Sequence, residues 1–220
     1  MDELGVSRPT FYFDVHGEVN TDMTIELARE RIEELGIVKV VVASETGLSA
    51  LKVLEAFTGS EVIVVSSAAG TCVEGSVVGD LRIGIPDEGI LEELRGGGAV
   101  VVRGTDPFWN IAARAGLVDA CRLGMMFFGV VCGGFHVCMS AVLEATDAGF
   151  LAEGEEVVAL AGSFVGLDTA VVAGAANSVN FFKAFEVREV ICKPRRPRYS
   201  WPISQVDWKG NLERYRRFAR

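Results

Sequence analysis

Short apolar runs alternate with amphipathic stretches along this chain, and the alternation predicts most of its elements. "KVVVAS" (39–44), "EVIVVSS" (61–67), "AVVVRG" (99–104) and "EEVVALAGS" (155–163) are continuous, valine-rich and too short for helices. Such runs read as strands buried on both faces, as in parallel sheets covered by helices. Before the first of them, "NTDMTIELARERIEELG" opens on the capping residues Asn20 and Thr21. It sets Ile25, Ala28, Ile32 and Leu35 on one helical face and stops at Gly36. "SALKVLEAF" (49–57) reads as a second helix. Asp87 caps a third that carries Ile90, Leu91 and Leu94 before a triple-glycine stop. Between these two helices, beyond the second strand, "AAGTCVEGSVVGDLRIG" runs irregularly. Residues 105–150 read as helical, opened by Phe108, Trp109, Ile111 and Ala112, and "TAVVAG" and "VREVICK" (187–193) are the last strands.

A strand–loop–helix–strand order builds right-handed crossovers and parallel pairs. The expected fold is therefore α/β, a three-layer α/β/α arrangement with a mixed, mostly parallel sheet of about five or six strands. The pattern contains no internal repeat and no linker. A single α/β domain is expected over residues 1–197. Residues 198–220 read as a basic C-terminal extension packed on that domain or on a neighbouring subunit.

Composition narrows the class. With 220 residues, half of them apolar and 23% charged, the chain is long enough for one sizeable core. Its charge is uneven: residues 1–192 carry 12 basic against 28 acidic side chains, and residues 193–220 carry 9 against 2. A basic tail opposing its own acidic body argues for packing on that body or on another copy, and against nucleic acid. The five cysteines are odd in number, form no C-x-x-C pair and lie mostly in apolar surroundings, which fits reduced thiols and a cytoplasmic location. The N-terminus has no apolar signal region. "LGMMFFGVVCGGFHVCMSAVL" (123–143) holds 21 residues without a charge, long enough to span a bilayer. Gly124, Gly129, Gly133-Gly134 and His136 interrupt it, and two buried segments meeting at the glycine pair are the preferred reading.

Candidate chemistry gathers where strands end. In an open α/β sheet, ligands bind outside the carboxyl ends of the strands. Three such ends are alike in combining small residues, hydroxyls and glycine. They are Ser44-Glu45-Thr46-Gly47-Leu48-Ser49, then Ser66-Ser67-Ala68-Ala69-Gly70, then Gly162-Ser163 through Gly166, Asp168 and Thr169. In the first, a glycine permits close backbone approach, free helix-start amides point at an anion, and Ser44, Thr46 and Ser49 add hydroxyl donors. A phosphate fits that description. The plainer alternative is that these are ordinary turns in which Ser and Thr cap and Gly turns. Glu45 opposes an anion lying over its side chain unless that side chain points away. Cys132, His136 and Cys138 lack further ligands at metal spacing, so no metal site is expected; a cysteine nucleophile with His136 is weaker than a core histidine.

"VVASETGLSALKVLEAFTGSEVIVVSS" resembles the C-terminal domain of pyruvate kinase, where a loop ending in T-G-x-S holds a sugar-phosphate effector. Together with "NTDMTIELARERIEELGIVKVVVAS", "GLDTAVVAGAANSVNFF" and "VREVICKPR", it is similar to the stand-alone pyruvate kinase C-terminal α/β-domain-like proteins found mainly in archaea. The resemblance covers roughly residues 11–197. It implies a sheet of order 3-2-1-4-5 with a last antiparallel strand, and a bound flavin mononucleotide (FMN) with no assigned reaction. Residue by residue it implies a phosphate loop at Ser44, Thr46, Gly47 and Ser49. It also implies a second glycine-rich loop at Gly162, Ser163, Gly166, Asp168 and Thr169, with Asn177 in the segment that follows. Leu48 replaces an arginine of pyruvate kinase. Ala68-Ala69-Gly70 replaces a His-Thr-Gly run, and Phe164 and Val165 stand where the family tends to have an arginine. The expected ligand grip is therefore mostly backbone amides and hydroxyls.

Two functions follow as expectations. One is a phosphorylated small molecule, FMN by resemblance, bound at the carboxyl edge, with flavin-dependent oxidoreductase activity left open. The other is a regulatory or scaffolding module that senses a sugar phosphate or nucleotide through homo-oligomer formation, suited to a mean hydropathy of +0.32. A pyruvate kinase itself is not expected, because its catalytic (β/α)₈ barrel alone takes about 250 residues.

Overall fold

A computed structural model describes residues 5–76, 79–107, 128–163, 165–196 and 217–218. The readings at Phe108, Trp109, Ile111, Ala112, Cys121, Phe164 and most of the basic tail lie outside them.

Among the described residues seven strands form one sheet: β1 (Phe11–Phe13), β2 (Lys39–Ala43), β3 (Glu61–Ser67), β6 (Val100–Gly104), β7 (Glu156–Ala161), β8 (Thr169–Gly174) and β9 (Glu186–Pro194). The remaining two, β4 (Cys72–Ser76) and β5 (Gly79–Arg82), pair as a separate antiparallel hairpin within the stretch read as irregular. The large sheet has the order β1-β9-β8-β7-β2-β3-β6. Every neighbouring pair is parallel except β7 with β8 and β8 with β9, so β8 alone runs against the rest. Taken in chain order, β2, β3, β6, β7 and β8 stand 3-2-1-4-5, with the fifth antiparallel. The further strands are β9 and the edge strand β1, which has three residues and too short a pattern to register in the sequence.

Helices cover both faces. Helices α1 (Thr21–Leu35), α2 (Leu48–Ala56) and α3 (Glu88–Gly96) pack on one side, and α4 (Gly133–Asp147) on the other. The period of two in a strand divides the valines between them. Val40, Val42, Val62 and Val64 join the α1–α3 side, and Val41, Ile63 and Val65 join the α4 side. A short helix, α5 (Phe181–Ala184), precedes β9.

The helix ends follow sequence chemistry in two of three cases. Gly36 closes α1 in the left-handed conformation, and Asp87 Oδ1 accepts from the amides of Gly89 (3.0 Å) and Ile90 (3.3 Å) at the start of α3. Asn20 does not cap α1; its side-chain amide donates to the Val15 carbonyl instead. The charge-free run is divided where the glycine pair falls, since α4 begins at Gly133. Among the described residues no helix is long and apolar enough to cross a membrane. Far along the tail, Phe218 is buried in the α1–α3 core, and its carbonyl accepts from Arg82 N at 2.9 Å.

Candidate functional site

Adjacent strands bring the three loops together. β7, β2 and β3 are neighbours and parallel, so Ser44–Ser49, Ser66–Gly70 and Gly162–Thr169 all lie at one carboxyl edge. β6 ends beside Ser67 at the same edge. Asn177 does not join them. It follows β8, which runs the other way, and so lies at the opposite edge, about 20 Å off at the rise of a six-residue strand. There its side chain donates to Thr146 O and Asp147 Oδ1.

The loop after β2 keeps its hydroxyls unengaged. Ser44 N donates to Val65 O (2.9 Å), fixing the loop against β3, but the hydroxyls of Ser44, Thr46 and Ser49 make no hydrogen bond among the described residues. Ser44 and Thr46 are only 7% and 8% exposed. Even so, the one fully enclosed unpartnered side-chain oxygen among the described residues is Glu144 Oε2, so both hydroxyls retain an opening to solvent. No side chain caps the start of α2. Leu48 packs on the core and contributes no charge. Gly47 has φ +85°, and a Cβ on it would lie 2.4 Å from Ile90 Cγ2. Its glycine is thus required by the seating of α3 as much as by any ligand.

Glu45 points away from that loop. Its Oε2 accepts from Ser66 Oγ (3.1 Å), Ser67 N (3.2 Å) and Gly84 N (3.4 Å), and its Oε1 from Ser67 Oγ (2.9 Å). Its carbonyl accepts from Ile85 N at 2.8 Å. Ile85 is fully buried at φ +52°, a left-handed conformation that strains a β-branched residue by about 1–3 kcal/mol. Side chain and main chain of Glu45 therefore both hold the Gly84–Ile85 turn. Beyond Ser67, Ala68 and Gly70 are exposed, and the Ala68 carbonyl accepts from Thr71 N and Oγ1.

In the loop after β7, Ser163, Asp168 and Thr169 already have polar partners, some of them from the segment before α1. Asp168 is fully buried. Its Oδ2 accepts from Gly17 N (2.9 Å), and its Oδ1 from Ser163 N (3.1 Å) and Thr169 Oγ1 (2.9 Å). Ser163 Oγ lies 3.3 Å from His16 Nδ1, and His16 Nε2 lies 2.7 Å from the Arg196 carbonyl. Gly162 and Gly166 meet across the turn, and a Cβ on Gly166 (φ +73°) would lie 2.3 Å from Glu18 Cα. These residues hold the segment before α1 against the end of β7.

The family model for the pyruvate kinase alpha/beta domain matches residues 22–173, from the start of α1 to the end of β8. The chain belongs to that family. The matched span contains all three loops, while β1, β9 and the tail lie outside it.

On the α4 face of this pyruvate kinase α/β domain stands a polar group that the sequence pattern presents differently. Ser140 Oγ donates to Asp106 Oδ1 (3.1 Å) and lies 3.3 Å from His136 Nε2, which is 3.6 Å from Asp106 Oδ2. Two turns on from His136, Glu144 packs over Gly104 at the end of β6, with Oε2 enclosed and unpartnered. Burial, then the carboxylates of Asp106, Glu45 and Asp147, push the Glu144 carboxyl up to about 8, so it is largely neutral at pH 7. Burial lowers the pKa of His136, opposed by Asp106. The spacing His136, Ser140, Glu144 places all three on one helical stripe, a signal present in the sequence. Its partner Asp106 comes from a distant strand end. The cysteines do not join this group: Cys132 Sγ lies against Thr169 Oγ1 (3.4 Å) and Cys138 Sγ donates to Ala159 O (3.5 Å). Burial raises both thiols, which disfavours the thiolate a nucleophile needs. No group of three metal-binding side chains occurs among the described residues.

Proposed function

We propose that this domain binds a phosphorylated small molecule at the shared carboxyl edge of β7, β2 and β3, with FMN the leading ligand. The observation that carries this reading is the loop after β2, where three hydroxyls without partners among the described residues border the uncapped start of a nine-residue helix. The amides at the start of α2, together with Ser44, Thr46 and Ser49, would hold the phosphate. Glu45 is compatible because its carboxylate is drawn off to the end of β3. The donor set fits a phosphate held by neutral groups, with no lysine or arginine in the loop. A ring system would extend toward Ala68–Gly70 and the Gly162–Thr169 loop. Bound flavin would supply electron-transfer chemistry of its own, and the chain's part is to bind and orient it.

The test is direct. Purified protein should take up FMN in calorimetry, and Ser44→Ala with Thr46→Ala should weaken that uptake by about 1–3 kcal/mol, the range for lost hydrogen bonds to a charged group. Colourless protein that refuses added FMN sinks the flavin assignment. Undiminished binding by a folded double variant removes the β2 loop.

A further inference from the structure

The end of β3 carries a second cradle of donors, and the chain's own acid fills it. Two main-chain amides, Ser67 N and Gly84 N, and two hydroxyls, Ser66 Oγ and Ser67 Oγ, converge on the two oxygens of Glu45. Amides and hydroxyls from separate segments aimed at one pair of anionic oxygens are the donor set that also receives a phosphoryl group. The cradle adjoins the β2 loop, since Ser44 N is bonded to Val65 O, two residues before Ser67.

Two features separate this arrangement from a buried cross-brace. Glu45 is exposed, so water reaches its carboxylate and the side chain has room to leave. The turn it holds contains Ile85 in a strained conformation, the kind of backbone that persists only where surrounding contacts over-determine it.

We propose that the Ser66–Ser67–Gly84 cradle is a phosphoryl site in which Glu45 is a built-in competitor, so that a ligand phosphate enters by replacing the Glu45 carboxylate. The inference rests on the reading that a phosphorylated ligand comes to this edge, and adds a second phosphoryl subsite beside the one formed by Ser44, Thr46 and Ser49, which a phosphate reaches only when Glu45 leaves it. Asp106 and Glu144 stand on the α4 side of the same edge. The Asp106 carboxylate opposes an incoming anion there, and Glu45 must be displaced rather than joined.

Inorganic phosphate is the probe, titrated by calorimetry and followed by thermal melting. Glu45→Ala should bind it at least about tenfold more tightly than the unaltered protein, with a larger phosphate-dependent rise in melting temperature. Adding Ser67→Ala should abolish that gain, whereas adding Ser44→Ala and Thr46→Ala should leave it. Glu45→Gln, which keeps the side chain's bulk and one acceptor, should give a smaller gain and serves if the alanine variant folds poorly. Phosphate binding by both Glu45 variants no tighter than by the unaltered protein overturns the proposal, as does a gain that survives Ser67→Ala. Failure here with FMN uptake intact refutes only the competitor; a Ser67-dependent gain in protein that refuses FMN refutes only the flavin.

Discussion

The loops after β2 and β7 look alike in sequence and do opposite things. Each joins small residues, hydroxyls, a glycine and one acid at the end of a buried strand. After β7 the acid turns inward: Asp168 is fully buried and takes up Ser163, Thr169 and the amide of Gly17. After β2 the acid reaches outward: Glu45 engages the next strand and leaves Ser44, Thr46 and Ser49 without partners among the described residues. What separates the proposed binding loop after β2 from the structural loop after β7 is whether its donors are already engaged, and residue type alone does not decide that.

If that contrast is right, the largest loss of stability should come from Asp168→Ala. It strands three donors in a buried setting at about 1–3 kcal/mol each, so about 4 kcal/mol is expected from urea unfolding. Asp168→Asn keeps one oxygen acceptor and should lose about half as much. A loss under about 1 kcal/mol for the alanine variant would break the contrast, because the loop would not then depend on its acid.

The fold was legible because hydrophobic pattern carries it. "KVVVAS" and "EVIVVSS" have one reading in length and composition, and parallel order follows from the helices between them. The hairpin of β4 and β5 was not legible, since Cys72–Ser76 contains an acid and a glycine and alternates poorly. The gathering of three strand ends at one sheet edge was legible, but the geometry of their side chains was not. Asn177 lies at the edge opposite the three loops because β8 reverses, and strand direction is fixed by pairing rather than by local sequence. The destination of Glu45 likewise depends on Ser66, Ser67 and Gly84, which only the folded sheet brings near.

Gly47→Ala tests the β2 loop from its packing side. A Cβ there must adopt φ +85° and displace Ile90, whose Cγ2 would be 2.4 Å away. Left-handed strain and overpacking together should cost about 3 kcal/mol, measured by thermal melting. A milder effect would mean that α3 is free to shift, and the glycine would then be open to a purely ligand-facing role.

Glu144 sharpens the contrast with a third acid, one whose Oε2 has no partner among the described residues. Its carboxyl is raised from 4.5 to about 8, so the folded state holds a proton that the unfolded chain gives up between those values. Stability should therefore be highest below about pH 4.5 in this contribution, fall as pH rises toward 8, and level off above it. The full linkage is about 5 kcal/mol, which partial solvent screening reduces to about 2 kcal/mol. Glu144→Gln should flatten the profile across that window. An identical slope in both proteins would assign the pH dependence elsewhere.

The smallest expected effect is the most discriminating. Ser44→Ala with Thr46→Ala should change stability by less than about 0.5 kcal/mol, because neither hydroxyl has a partner among the described residues to lose. A capping role predicts otherwise, since removing a Ser or Thr cap costs about 1 kcal/mol. The two accounts therefore separate in protein without ligand, by urea unfolding alone. Near-zero change together with weakened phosphate binding would mean that these hydroxyls serve the ligand and not the fold. A loss of about 1 kcal/mol would return the loop to the same structural class as its counterpart after β7.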